Sequence, residues 1–249
     1  MGTYYMSSML CEGCRAILER AIEGGYNFLD CIIAPDACAQ MNRCVENIER
    51  QKLCTKEKFF VEYSDVPMKS DESALKHYVK QMRLHVLEPL HNTYGIDISD
   101  EALRKAVDEQ NEISRLITEI GDYRKEDNPR ITGYEFAVLC LATYCCPKEY
   151  LIDKLRDTAK ELKVRQPDIK KNYRARVALI GSEIDNPELI KLAEEAGALV
   201  VADRFCFGSL PGRSEIILND EEDVLYQICR QYMQLSLIHI SEPTRLALI

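Results

Sequence analysis

Two short apolar runs constrain this chain more than any other feature. FLDCIIA (Phe28 to Ala34) and ALVVA (Ala198 to Ala202) are nearly unbroken hydrophobic segments, too short for helices, with the pattern of parallel strands covered on both faces. Each has a candidate neighbour: Phe59 to Tyr63 follows the first, and Val177 to Ile180 precedes the second. Parallel neighbours need a crossover, and a helical pattern fills both gaps. In the first gap, a helix beginning near Ala37 places Met41, Cys44, Val45 and Ile48 at i, i+3, i+4 and i+7. In the second, Glu188 to Ala196 is stopped by Gly197. An earlier helix, Glu12 to Glu23, carries Ala16, Ile17, Ala21 and Ile22 and ends at Gly24-Gly25.

Between these α/β regions, from Asp71 to about Lys163, only helical periodicity appears. One helix runs from Asp71 towards His91 and breaks near Gly95. A second follows Ser99, with Asp100 and Glu101 in its first turn and Leu103, Ala106, Val107, Ile113, Leu116, Ile117 and Ile120 on one side. Thr132 and Glu135 have capping-box spacing and open a third; Cys145-Cys146-Pro147 separate it from a fourth, Lys148 to Lys163. Lys163 to Arg176 is a basic linker. The expected fold is therefore α/β: two Rossmann/flavodoxin-like parallel-sheet units separated by a helical segment, the second unit incomplete. The expected segments are 1–68 (α/β), 69–170 (helical) and 171–234 (partial α/β). The stretch LSLIHISEPTR (Leu235 to Arg245) resembles translated sequencing adaptor, so 235–249 is set aside as a non-native tail.

A net charge of −9, with acidic residues spread along the chain, argues against a nucleic-acid surface, which needs clustered Lys and Arg. A membrane span would need about 18 apolar residues without charge, and none is present. The first residues lack the basic and apolar parts of a secretory signal. Eleven cysteines in a helical, charged chain of this length point to a reducing cytoplasm, not to a disulfide framework.

Cys11 and Cys14 sit at the start of the first helix, and Cys38 sits where a strand hands over to a helix. Functional groups of open α/β sheets gather at the carboxyl ends of strands, and amides at a helix N-terminus favour a thiolate. Cys31 and Cys44 fall on packing positions; Cys54, Cys140, Cys145, Cys146 and Cys229 lack ligand spacing and are assigned to packing as well. On spacing alone, ligation and packing stand level for Cys11 and Cys38. A zinc site from Cys11, Cys14, Cys38 and Cys44 would require Cys44 to leave its core face.

The segments YYMSSMLCEGCRAILERA and DCIIAPDACAQMNRCVENIE resemble the 2-hydroxyacyl-CoA dehydratase and benzoyl-CoA reductase subunit family (D-component type). VEYSDVPMKSDESALKHYVKQM, YGIDISDEALRKAVDEQNEISRLI and RVALIGSEIDNPELIKLAEEAGALVVADRFCFGS continue the resemblance in family order, to about Cys229. The resemblance implies a four-iron four-sulfur (4Fe-4S) cluster held by three cysteines. Cys11, in a Cys-x-x-x-Arg stretch ending at Arg15, matches the first, with Cys14 the alternative; Cys38 matches the second. The third would lie downstream of this chain, and family members also begin earlier, so a truncated fragment is expected.

The activity implied is a lyase reaction of anaerobic amino-acid fermentation: loss of water from a 2-hydroxyacyl-CoA by a ketyl radical mechanism after one-electron activation. Related roles are an ATP-dependent reductase, of the benzoyl-CoA reductase or double-cubane-cluster type, or a non-catalytic partner subunit. The implied partners are a second related subunit in a heterodimer and an ATP-hydrolysing iron–sulfur activator, since this chain has no GxxxxGK[ST] loop. The loops after the later strands supply candidate acyl-CoA contacts: Ser182, Asp203 and Arg204, the last for a CoA phosphate. For Ser182 or Asp203 alone, loop capping is the stronger assignment, and Cys206 is a pocket-wall candidate. His77, His85 and His91 are expected to face solvent, without a metal role.

Overall fold

The computed structural model describes residues 2–167, 173–181, 184–205, 207–209 and 214–234. In chain order the elements are α1 (Gly2–Tyr5), α2 (Glu12–Ile22), β1 (Cys31–Pro35), α3 (Ala39–Arg50), β2 (Phe60–Ser64) and α4 (Glu72–Met82). A π-helical turn (Arg83–Leu87) leads into α5 (Glu88–Tyr94), then α6 (Asp100–Asp122), α7 (Gly133–Cys145) and α8 (Lys148–Val164). The chain continues with β3 (Ala175–Ile180), α9 (Glu188–Glu195), β4 (Ala198–Arg204) and α10 (Val224–Gln234). The architecture is α/β, with two small parallel sheets. Two compact units result, one from residues 1–102 with 220–249 and one from 103–219. The helical stretch runs through both units. The reason is local packing: α4 packs on α10, where the Tyr226 hydroxyl donates to Glu72 (2.8 Å), while α7 packs on α9 and β4.

In the first unit, β1 pairs parallel with β2, Cys31 opposite Phe60 and Pro35 opposite Ser64. The core combines Cys14, Leu18 and Ala21 of α2 with Cys44 and Ile48 of α3. The face of α3 matches its periodicity, with Cys44, Val45 and Ile48 buried. On α2 the buried stripe runs through Cys14, Leu18 and Ala21, leaving Ala16 exposed, against expectation. The first strand also corrects the sequence reading. It begins at Cys31, because Tyr26 to Leu29 forms a turn, and Phe28 is 69% exposed. Only Ala34 of β1 is buried, since among the described residues the sheet has two strands and therefore open edges. Helix α5 ends at Gly95, whose positive φ of 68° closes the last turn.

In the second unit, α6, α7 and α8 bury Ile113, Ile117, Ile120, Phe136, Cys140, Leu155 and Leu162 in one cluster. The Thr132 hydroxyl accepts from Glu135 N (3.0 Å), and the Glu135 carboxylate accepts from Thr132 N (2.9 Å), completing the capping box. Thr132→Ala is expected to lower the stability of this unit by about 1 kcal/mol, read as a shift in its urea midpoint. Strands β3 and β4 pair parallel with an irregularity between Val177 and Ala178, and α9 makes the crossover. Glu194 of α9 is buried, and its carboxylate accepts from Gly133 N (2.8 Å), Tyr134 N (3.2 Å) and Val200 N (3.2 Å). A side chain on one helix thereby caps another, with the carboxylate at the favoured end of the α7 dipole.

Candidate functional site

Strand β1 ends at Pro35, and the connection to α3 is tightly held. Asp36 N donates to Ser64 O (2.8 Å), Ala37 N donates to Pro35 O (2.8 Å), and the Asn42 amide donates to the Asp36 carboxylate. These bonds deliver Cys38 to the N-cap of α3 in extended backbone, with its thiol exposed. Cys38 therefore occupies the carboxyl end of a parallel strand.

Cys11 is the N-cap of α2 and is also exposed. Its backbone N–H donates to the side-chain carbonyl of Gln40, in the first turn of α3. That bond joins the start of one cysteine-bearing helix to the start of the other. Amide hydrogens of Cys14 and Gly13 hold the Cys11 thiol below its ordinary pKa, and the Arg15 charge acts in the same direction. Arg15 is itself braced by Leu10 O (3.3 Å from Nε) and by Glu12 (3.5 Å).

Cys14 has the opposite character. It is 4% exposed, and burial, followed by the charges of Cys11 and Cys38, raises its pKa. Only the thiolate is nucleophilic, so iodoacetamide should label Cys11 at a lower pH than Cys14. Fragment-resolved mass spectrometry at successive pH values reads both sites, and coincident profiles would contradict the assignment.

Cys44 is fully buried, and burial pushes its thiol up to about 11. It remains on the core face, which removes the four-cysteine zinc arrangement. Cys54, Cys140 and Cys229 are buried as expected, but Cys145 and Cys146 are exposed, a correction to their packing assignment. They fall at the end of α7, where the chain turns outward at Pro147. Among the described residues no group of three or more His, Cys, Asp or Glu is gathered to hold a metal ion. Cys11 and Cys38 are thus two accessible thiols at neighbouring helix starts.

His77 and His91 are exposed as expected, whereas His85 is half-buried against β2. His77 Nε2 lies 2.7 Å from Asp65 and His85 Nδ1 lies 2.9 Å from Glu62, with His85 half-buried. His91 Nδ1 meets Ile96 O at 2.8 Å. Of the candidate substrate contacts, Arg204 is exposed at the end of β4. The Asp203 side chain is 3% exposed, 2.7 Å from Arg124, and accepts from Ser209 N (2.6 Å). Its carboxylate is enclosed within the unit and caps the loop at Ser209, in line with the loop-capping assignment. Ser182, Cys206 and the segment 235–249, including His239, lie outside the described residues. Gln40 and Arg124 are the residues that sequence reasoning missed; Gln40 lies in the DCIIAPDACAQMNRCVENIE segment but no spacing rule singles it out, Arg124 lies in no motif, and each acts through a partner distant in sequence.

Fold and thiols together define a class: an α/β subunit presenting accessible cysteines at helix N-termini, one directly after a parallel strand. The chain belongs to the 2-hydroxyglutaryl-CoA dehydratase D-component family, which it matches over residues 1–249. It is 24% identical over 199 residues to the (R)-phenyllactyl-CoA dehydratase beta subunit of Clostridium sporogenes, covering 80% of this chain and 52% of that protein. It is 26% identical over 208 residues to one of the benzoyl-CoA reductase subunits of Thauera aromatica, covering 82% and 52% respectively. The chain therefore spans about half the length of these curated relatives. Among the described residues, no helix is long and apolar enough to cross a membrane.

Proposed function

We propose that this chain contributes cysteine ligands for a 4Fe-4S cluster to a cytoplasmic 2-hydroxyacyl-CoA dehydratase. Cys38 and Cys11 are the proposed ligands, with Cys14 the alternative to Cys11. The carrying observation is the pair of exposed thiols at two helix starts joined by the Cys11–Gln40 bond. The donor set fits the group: thiolates are the protein ligands of such clusters, and the amides of Cys14 and Gly13 favour the charged form of Cys11. Cys14 is the weaker ligand because it is directed into the core and its pKa is raised. A third ligand would come from the remainder of a full-length subunit.

The reaction proposed is loss of water from a 2-hydroxyacyl-CoA. One electron added to the thioester carbonyl gives a ketyl radical anion, which expels the neighbouring hydroxyl as hydroxide; the resulting neutral radical loses its acidified β-proton and then gives the electron back, leaving the enoyl thioester. The cluster, when bound, would supply that electron. This chain's residues would fix the thiolates, with Asp36, Asn42 and Gln40 holding the two helix starts in place. Arg204 is the proposed contact for a CoA phosphate. A related second subunit and an ATP-hydrolysing activator are the proposed partners.

Anaerobic iron and sulfide analysis with electron paramagnetic resonance on the full-length protein tests the reading. Cys38→Ser and Cys11→Ser should each lower bound iron and weaken the cluster signal, whereas Cys14→Ser should retain it. A parent protein without iron, sulfide or signal would refute it. The benzoyl-CoA reductase relative supports a second reading, reductive chemistry on the same scaffold. Product analysis separates the two: an enoyl-CoA from dehydration, or a ring-reduced thioester.

A further inference from the structure

We infer that Cys145 and Cys146 form a two-thiolate site for a soft univalent cation, copper(I), at the elbow between α7 and α8. The two cysteines are adjacent in the chain, and both thiols are free and exposed, whereas Cys140, one turn earlier on α7, is buried. The elbow itself is well anchored. Cys145 is the last residue of α7, and Cys146 leaves the helix in extended backbone (φ −96°, ψ 144°) with its N–H donating to Ala142 O (2.9 Å). On the other side Pro147 is the N-cap of α8, and its carbonyl accepts from Tyr150 N (3.2 Å) and Leu151 N (3.0 Å). A fixed backbone thus presents two neighbouring sulfurs to solvent. They lie in the unit of residues 103–219 and include none of the proposed cluster ligands, so the inference stands apart from that reading.

Thiolates are soft donors that select copper(I) over hard cations. Two of them suffice, because this closed-shell ion accepts a linear pair of sulfurs and needs no third ligand. Closure to a disulfide suits the pair less well. The trans peptide keeps adjacent Cα atoms about 3.8 Å apart, below the roughly 4.4–6.8 Å of relaxed disulfides. A metal ion between the sulfurs holds them farther apart than an S–S bond and escapes that constraint. Loading is a simple exchange: one copper(I) replaces the two thiol protons, which pass to solvent, and leaves an anionic bis-thiolate. Nothing is oxidised or reduced.

The tryptic peptide Ile131 to Lys148 carries both thiols together with Cys140, so one digest reads the site. The reduced, iron-free chain is titrated anaerobically with copper(I) supplied as its acetonitrile complex, pulsed with N-ethylmaleimide, digested and fragmented. Cys145 and Cys146 should both label at least about tenfold more slowly than in the metal-free chain, since a metal-bound sulfur is no longer a free nucleophile. Cys145→Ser and Cys146→Ser each change one exposed position and should return the remaining thiol to its metal-free rate. Cys38→Ser should leave the protection intact. Unchanged labelling of Cys145 and Cys146 in the parent, protection that survives in either single variant, or a Cys145–Cys146 disulfide as the product would overturn the inference.

Discussion

Replacing Arg124 with methionine is expected to destabilise the unit formed by residues 103–219 by about 3–5 kcal/mol, the range for breaking a buried ion pair from one side. Arg124 is 2% exposed, and its guanidinium carbon lies 3.6 Å from the centre of the Phe136 ring. Its Nη1 lies 2.7 Å from Asp203, and both side chains are 3% exposed. Methionine preserves much of the apolar stem but leaves a carboxylate without its cation in a place closed to water. That asymmetry sets the magnitude: an unpaired buried charge costs far more than an absent pair. The double variant Arg124→Met/Asp203→Leu should therefore recover most of the loss. Recovery should fall short by about 1 kcal/mol, because Ser209 N also donates to Asp203 (2.6 Å). Urea midpoints of the parent, single and double variants measure both quantities. A double variant as unstable as the single would show that the carboxylate was not the source of the cost.

The features legible in the sequence are those whose determinants lie within a few residues. Thr132 and Glu135 are three positions apart, and the capping box they make needs nothing else. Cys44, Val45 and Ile48 share one helix face by geometry, so their burial follows from spacing. Gly197 stops α9 with a positive φ of 98°, again a local requirement. Parallel pairing was legible because each pair of apolar runs encloses a helical pattern.

What was not legible depends on the partner surfaces. Ala16 has the right spacing for a core residue, but which stripe of α2 is buried is decided by where α3 lies. The run at Phe28 to Ala34 is apolar enough for a doubly covered strand, yet coverage depends on how many strands and helices surround it. Asp203 looked available at the end of a strand. Arg124, at the end of α6 in sequence but beside β4 in space, encloses it. The same limit applies to the thiols. Spacing placed Cys11 and Cys38 at helix starts, whereas their separation into exposed thiols and a buried Cys14 follows from how α2 packs on α3.

Gly133→Ala sets two effects against each other, and their magnitudes decide the sign. Within a helix, alanine is ordinarily favoured over glycine by about 1 kcal/mol. Gly133 is the first residue of α7, where it approaches β4 too closely for that gain to be realised. A Cβ there would stand 2.5 Å from the Val200 Cβ, 2.7 Å from the Val200 carbonyl oxygen and 3.0 Å from Glu194 Oε1. The backbone oxygen belongs to a paired strand, so it cannot rotate away as a flexible side chain would. The helix start would have to move, and the movement would stretch the bonds from Gly133 N and Tyr134 N to Glu194. Overpacking typically costs about 1–3 kcal/mol, and lost capping adds about 1 kcal/mol, together more than the propensity gain. The expected outcome is a net loss of about 1–3 kcal/mol, seen as a lower urea midpoint. An unchanged or stabilised variant would mean that α7 and β4 do not make this close approach.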